Sequence, residues 1–409
     1  MDLRAQAAAL RRGTMGVTPE GGLEDKLAEA ARESRPLVIK LGLDPTAPDI
    51  HLGHAVVLRK LRQFQDLGHH VVVIIGDFTA MIGDPSGRNE VRRQLSRDEV
   101  RTNAQTYAEQ YGRILDPDRT SVRFNSEWLG AMDFFEVIRL AGRLTVARIM
   151  ERDDFSRRFR EQRSIGLHEL LYPLCQAYDS VAIRADVEMG GTDQMFNILT
   201  GRDLQSQLGQ SAQVALFMPL LVGLDGVEKM SKSLGNCVGV TDPPSDMFGK
   251  LMSIPDTLML GYFELATEVD MSEARSMVGE ALAGRANPKD VKRRLAREIV
   301  AIYHGVAAAE GADAEFERVH ARRESPTDMQ ERMVPADAVR DGSVWVCRLV
   351  AAVGLAKGTG DARRLVEQGG VSVGGERVKA PDIEFPLCDL DGAVLQVGSR
   401  HFVRLRTHT

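Results

Sequence analysis

Cysteine is scarce in this chain, and none of the four residues, Cys175, Cys237, Cys347 and Cys388, belongs to a C-x-x-C pair. That argues against a zinc site or a disulfide framework and for a reducing, cytoplasmic setting. No apolar run approaches the roughly 20 residues of a membrane span. The first residues, Met1 to Gly13, are rich in Ala and Arg but lack the apolar stretch of a signal peptide, so an amphipathic surface helix is expected there. Internal repeats and low-complexity tracts are absent. So is an excess of positive charge: the net charge is −6, which does not advertise nucleic-acid binding by the molecule as a whole. The charge is uneven, however. Residues 343–409 hold nine Lys or Arg against seven Asp or Glu, a balance of +2 that leaves −8 on the rest. A mildly basic tail on an acidic body is compatible with RNA contact and equally with a solvated face.

What is present is a soluble balance, 43% hydrophobic and 27% charged, over 409 residues, enough for two or three domains. Residues 37–42 read as a short buried strand ending in Gly42, and the turn signals Asp44-Pro45-Thr46 and Pro48-Asp49 mark a loop. From Leu52 to Leu67 apolar residues recur at helical spacing until Gly68, and 71–76 is a β-branched run. Strand, helix, strand in so short a span predicts a βαβ unit and a parallel α/β sheet. A strand is expected at Val181 to Ala185, another at Val187 to Gly191, and a late one at 216–223 that Pro219 confines to an edge or breaks. From Pro243 to Ala321 the pattern is helical and charged. Residues 325–342 carry Pro, Gly and acidic residues and read as a linker. The last segment predicts a helix at Val344 to Val353 and strands around 371–373, 394–397 and 402–405.

Two short motifs carry chemistry. His51-Leu52-Gly53-His54 opens the first long helix just beyond a strand end, where open parallel sheets bind ligands. The free N–H groups and positive dipole end of a helix N-terminus suit phosphate, and Gly53 leaves the backbone open to a bulky ligand. Lys229-Met230-Ser231-Lys232-Ser233 follows a turn at Asp225-Gly226, and its two cations suit a polyphosphate whose charge grows during reaction. Either alone is weak. Both together, in this order and separated by a full α/β domain, resemble the class I aminoacyl-tRNA synthetases.

The likeness is to the tyrosyl-tRNA synthetases of bacterial type and runs through essentially the whole chain. It implies ATP-dependent attachment of tyrosine to tRNA(Tyr) in two steps through tyrosyl-adenylate, by a homodimer that takes ATP with Mg2+ and has no tightly bound cofactor. It also implies a Rossmann-like catalytic domain (1–240), a helical anticodon-side domain (241–324), the linker (325–342), and an α+β RNA-binding domain (343–409) of the fold named after the fourth protein of the small ribosomal subunit. Nothing resembles a nucleophilic triad and none is required; catalysis is expected from positioning and charge stabilisation.

Residue by residue, Tyr172, Gln176 and Asp179 share one helix face. In the family's tyrosine-binding helix the position of Asp179 accepts the phenol O–H, and those of Tyr172 and Gln176 hold the α-ammonium. Asp84 in Gly83-Asp84-Pro85-Ser86-Gly87 matches another ammonium contact, and Gln194 in Gly190-Gly191-Thr192-Asp193-Gln194 a residue near the tyrosine carboxylate. Gly191 and Asp193 match nucleotide contacts, the latter to ribose hydroxyls. Asp44 and Thr46 match adenylate contacts, Thr46 near the phosphates, and Arg88 and Arg92 match mobile basic residues that reach pyrophosphate. His51, His54, Thr46, Lys229 and Lys232 are the expected phosphate stabilisers. In the tail, Arg363, Arg364, Arg377, Lys379 and Arg404 are expected to meet RNA phosphate. The apolar stretch from Trp128 to Met150 is either a dimer interface or buried within one subunit. One position departs from the pattern: where the better-known branch has a Tyr that touches the substrate hydroxyl, this chain has Lys40, followed by Leu41-Gly42. The second phenol contact is thus left unassigned. A tryptophan-specific relative, a related nucleotidyltransferase and a catalytically idle RNA-binding paralogue are the alternatives.

Overall fold

The computed structural model describes residues 2–44, 50–84, 98–100, 102–103, 110–112, 114–320, 329–398 and 401–407, the side chains of Ser233 and His320 excepted. They form two compact units, Met1–Ala309 and Glu310–Thr409. No described helix is long and apolar enough to cross a membrane.

The first unit is built on six strands: β1 (Gly16–Thr18), β2 (Val38–Leu43), β3 (His70–Ile75), β4 (Thr120–Phe124), β5 (Val187–Gly191) and β6 (Val214–Met218), in the order β1-β6-β5-β2-β3-β4. All neighbours are parallel except β1, which lies antiparallel against β6. The chain leaves β2 in one direction, through helix Leu52–Asp66 to β3, and leaves β5 in the other, through helix Met195–Gln207 to β6. The order therefore reverses between β2 and β5, the place where an open parallel sheet leaves a crevice beyond its carboxyl ends. The central strands read as apolar runs because both faces are covered: Val71 to Ile75 are all buried. Helix Leu52–Asp66 buries Leu52, Ala55, Val56, Leu58, Leu61 and Phe64, the face its spacing predicts.

Two expectations for this unit are revised. Val181 to Ile183 finish helix Leu167–Ile183 instead of forming a strand, and the helix ends at Arg184 with φ of +50°. The β-branched pair imitates a strand, but it continues the helix's periodicity, and β5 starts only at Val187. Residues 216–223 contribute a strand only up to Met218, where Pro219 stops it, and β6 is flanked on both sides. Beyond the sheet, helices Pro244–Met252, Met259–Ala266, Met271–Leu282 and Pro288–His304 pack together within the same compact unit.

The second unit holds strands β7 (Gln330–Met333), β8 (Val339–Arg340), β9 (Ser343–Trp345), β10 (Val371–Val373), β11 (Glu376–Arg377), β12 (Glu384–Pro386), β13 (Val394–Val397) and β14 (His401–Arg406). They make a five-stranded sheet, β11-β10-β13-β14-β7, and a three-stranded one, β12-β9-β8. Helices Val346–Ala352 and Thr359–Glu367 cover a core that includes Val344, Leu349, Val366, Leu395 and Leu405. The stretch expected to be a linker departs from that reading: Gln330–Met333 pairs in parallel with β14. All four residues are exposed, so the strand is held by backbone bonds on a sheet edge and has no apolar alternation to betray it.

Helix Leu167–Ile183 is pinned at its start by a buried, two-pronged ion pair. Arg158 Nη1 lies 2.6 Å and Nη2 2.9 Å from the carboxylate oxygens of Glu169, and Glu169 also accepts from the Gly166 N–H at 2.7 Å. Breaking such a pair leaves an uncompensated buried charge. Arg158→Met is expected to lower stability by about 3–5 kcal/mol, read as a fall in the urea midpoint, whereas removing the exposed Arg62–Asp66 pair costs under about 1 kcal/mol. Equal effects would contradict this anchoring role.

Candidate active site

The first motif is a helix start. His51 is the extended residue before helix Leu52–Asp66, and His54 stands in its first turn. The two rings stack at 3.9 Å, and the His51 N–H donates to His54 Nδ1 at 3.4 Å. A side chain at Gly53 would put its Cβ 3.0 Å from the His51 ring, so glycine lets that ring lie against the backbone. Burial holds the His51 imidazole down to about 3, with His54 lowering it further, and the His54 imidazole down to about 4, with Asp193 and Lys229 pulling in opposite directions. Both rings are therefore neutral near pH 7, and offer a phosphate N–H donors rather than charge.

The second motif is brought to the first by main-chain bonds. The Leu52 N–H donates to the Val238 carbonyl at 2.9 Å and the Val240 N–H to the Ile50 carbonyl at 3.0 Å, so the segment after Lys229–Ser233 runs beside the helix start. Within the motif, the Met230 N–H donates to the Leu221 carbonyl at 2.8 Å and its side chain is buried. The Ser231 N–H donates to Asn236 Oδ1 at 2.8 Å, while the Asn236 amide donates to the Lys229 carbonyl at 3.2 Å and to Asp225. Lys229 reaches Asp193 at 2.9 Å. Asn236 organises the loop and was not anticipated from the sequence, where an isolated Asn carries no signal.

Between the motifs lies a cavity of about 450 Å3, lined by His51, His54, Asp44, Asp84, Tyr172, Gln176, Asp179, Asp193, Gln194, Lys229 and Lys232. Its size suits a small molecule. Gly53 and Gly191 also line it, so the structure unites every expected ligand residue of this unit that it describes. Thr46, Arg88 and Arg92 lie outside the described residues. Gly191 permits a close approach, since a Cβ there would sit 2.6 Å from Asp193 Oδ1 and 2.9 Å from Leu220 Cδ2. Gly76, which sequence reasoning missed, does the same for Asp44, whose Oδ1 would lie 2.0 Å from the added carbon. Asp44 accepts from the Tyr172 hydroxyl and the Thr79 hydroxyl, both at 2.8 Å. Gln194 Nε2 donates to Asp84 at 2.9 Å.

Asp179, which also lines the cavity, is buried. It accepts from Trp128 Nε1 at 2.8 Å and from Asn125 Nδ2 at 3.4 Å. Burial pushes its carboxyl up to about 7; Lys40 and the two N–H donors pull it down, and Glu188 pushes it up. Asn125 and Trp128 come from the segment just after β4, too far in sequence from Asp179 for a motif to couple them. Lys40 faces away from the cavity into a buried pair with Glu188.

In the second unit Arg363 and Arg364 are exposed on helix Thr359–Glu367, and Arg377 and Lys379 are exposed beyond it. The Arg377 guanidinium lies over Gly369 and donates to the Gln368 carbonyl at 3.4 Å, which brings it to the end of that helix. Arg404, half-buried on β14, stands opposite Glu331 of β7, next to an acid rather than in an unbroken basic face.

A family model described as tRNA synthetases class I (W and Y) matches residues 32–321. A tyrosine–tRNA ligase of Moorella thermoacetica is 54% identical over 406 residues, covering 99% of this chain and 97% of the relative. The chain belongs to the class I tyrosine–tRNA ligases. A relative of that name from Acidithiobacillus ferrooxidans is 51% identical over 96% of this chain and 95% of its own. Among solved structures, the synthetase resembles a C-terminally truncated mitochondrial tyrosyl-tRNA synthetase of Aspergillus nidulans, with a TM-score of 0.62 and 20% identity over 78% of this chain and 94% of that one. It also resembles the tyrosyl-tRNA synthetase of Archaeoglobus fulgidus complexed with L-tyrosine, with a TM-score of 0.60 and 23% identity over 76% and 100%. At these identities the likeness is one of fold.

If Asn236 holds the Lys229–Ser233 loop of this synthetase, Asn236→Ala removes at least one bond worth about 1 kcal/mol. Hydrogen exchange at the Ser231 amide is then expected to quicken roughly fivefold or more; unchanged exchange would remove Asn236 from that role.

Proposed function

We propose that this synthetase attaches tyrosine to tRNA(Tyr) in two steps, and that the cavity between its two motifs is where both take place. The observation that carries the reading is the meeting of neutral N–H donors, lysines and a buried carboxylate around one cavity. The tyrosine phenol donates to Asp179, whose buried carboxylate would be left unpaired by phenylalanine. Asp84, held by Gln194, faces the substrate ammonium together with Tyr172 and Gln176. Tyrosine then lies with its carboxylate toward the motifs. That carboxylate attacks the α-phosphorus of ATP, giving tyrosyl-adenylate and pyrophosphate. The terminal ribose hydroxyl of tRNA next attacks the acyl carbon, releasing AMP.

In this reading His51 and His54 donate N–H groups to phosphate, and Lys229 and Lys232 balance the charge that builds on the leaving pyrophosphate. The Lys229–Asp193 contact closes the loop over the nucleotide, with Asp193 and Gly191 on the ribose side and Asp44 toward the adenylate. Thr46, Arg88 and Arg92 complete the phosphate contacts. ATP enters with Mg2+ carried mainly on its own phosphates. Arg363, Arg364, Arg377 and Lys379 contribute phosphate contacts to tRNA, with Arg404 the weakest of the set because Glu331 opposes it. The enzyme works in the cytoplasm, a setting that its free cysteines support, and the reading gives it no membrane or DNA partner.

A homodimer is part of the proposal. In helix Phe134–Ala141, Phe134 is 80%, Phe135 72% and Ile138 52% exposed, whereas Leu140 and Leu144 pack against Leu174, Ala177 and Leu204. One side of the segment joins the core, and the exposed apolar side supports the reading that it meets a second copy.

Two outcomes are expected. Lys232→Ala slows single-turnover adenylate formation by on the order of 10²-fold while the Kd for tyrosine, from equilibrium binding, stays nearly constant; equal losses would deny it a transition-state role. Replacing Phe134 and Phe135 together by Asp halves the mass in light scattering, and an unchanged mass would exclude that face as the interface.

A further inference from the structure

Behind the substrate helix, Lys40 on β2 and Glu188 on β5 are partners across the sheet, with Nζ 2.9 Å from Oε1 and side chains 0% and 1% exposed. Burying two charges so deeply costs more hydration than apolar packing would, so the pair is not explained as a stabilising device. Its geometry is saturated. The Lys40 ammonium has three protons and three acceptors: Glu188 Oε1, the Gln176 carbonyl at 2.9 Å and Ser180 Oγ at 2.7 Å. Glu188 in turn accepts from the Ser180 hydroxyl at 2.9 Å, from the Gln176 amide at 3.4 Å, and from Gln213. Lys40 has no proton left for a substrate phenol. Gln176 and Ser180 bracket Asp179 on the same helix, so the pair grips the turn that presents this carboxylate.

We infer that Lys40 and Glu188 are positioning residues for tyrosine specificity, fixing the Gln176–Ser180 turn and setting the charge of Asp179 from behind it. The inference rests on the reading of Asp179 as the phenol acceptor. It accounts for Lys40 standing where another branch has a tyrosine: the contribution passes through the acceptor instead of through a direct contact. The groups around Asp179 are few. Lys40 faces it from β2 and Glu188 from β5, Trp128 and Asn125 donate from the segment after β4, and Tyr172 and Cys175 lie on its own helix. The two members of the pair act on Asp179 in opposite senses, Lys40 favouring its ionised form and Glu188 opposing it. Loss of structure alone would not displace variants at the two positions in opposite directions.

The test is the pH profile of kcat/KM for tyrosine in ATP–pyrophosphate exchange, with the tyrosine-over-phenylalanine ratio taken alongside, on the full chain. An ionised acceptor is required, so the profile rises with pH through the Asp179 titration. In Glu188→Gln, which keeps the side-chain shape, the acid limb is expected to move down by about half a unit or more. In Lys40→Met it moves up, and the tyrosine preference falls near neutral pH. The charge-neutral double variant lies between the two. Unmoved limbs, or limbs displaced in the same direction, would overturn the inference. If Lys40→Met does not fold, Glu188→Gln decides alone: a downward shift supports the inference, and no shift or an upward one sinks it. Asp179→Asn separates the two levels. If that variant keeps the wild-type limb and preference, the Asp179 reading fails and the inference with it. If it loses both while the Glu188→Gln limb stays put, only the inference falls.

Discussion

Two main-chain hydrogen bonds, between Leu52 and Val238 and between Val240 and Ile50, make one site of two motifs that the chain keeps far apart. Closing so long a loop costs entropy, which the sheet has largely met by placing β2 beside β5 and β5 beside β6. What remains is local: a helix start on one side, a loop on the other, and an edge-to-edge backbone contact holding them in register. The consequences follow in order. His51 and His54 sit dry enough to be neutral, Lys229 reaches Asp193, and both motifs line one cavity with Asp44, Asp84 and Asp179.

Asp179 obeys a different constraint. A buried carboxylate is costly; the N–H donors of Trp128 and Asn125 and the Lys40 ammonium favour the ionised form of Asp179, and Glu188, which holds that ammonium, opposes it. Burial outweighs the favourable contacts and leaves the Asp179 carboxyl raised to about 7. On the reading of Asp179 as the phenol acceptor, its ionised form distinguishes a substrate that supplies a hydroxyl from one that does not, because only the first satisfies the acceptor. In the proposed reading, recognition of the amino acid and handling of the phosphates fall to different side chains lining one cavity.

The parts legible in the sequence were those whose signal is local. The β-branched run at 71–75 and the apolar spacing from Leu52 to Phe64 gave the βαβ unit, because periodicity reports burial directly. The motif residues were legible because few other tasks require His, Gly, Lys and Ser in those patterns. Val181 to Ala185 misled because a β-branched pair at a helix end looks like a strand start. Gln330–Met333 was hidden because an exposed edge strand held by backbone bonds has no side-chain pattern. Asn125, Trp128 and Asn236 were missed for a third reason: each acts by a side-chain bond to a partner chosen by the fold, and no spacing rule links donor to acceptor. Lys40 belongs with them. Its residue type was visible as a mismatch, but its partner, Glu188, lies on a strand that becomes its neighbour only once the sheet order is known.

Activation of tyrosine with ATP in this cavity is measured without tRNA by amino-acid-dependent exchange of pyrophosphate into ATP. Exchange is expected with tyrosine, little with phenylalanine and none with tryptophan. Exchange with tryptophan in place of tyrosine would contradict the tyrosine assignment.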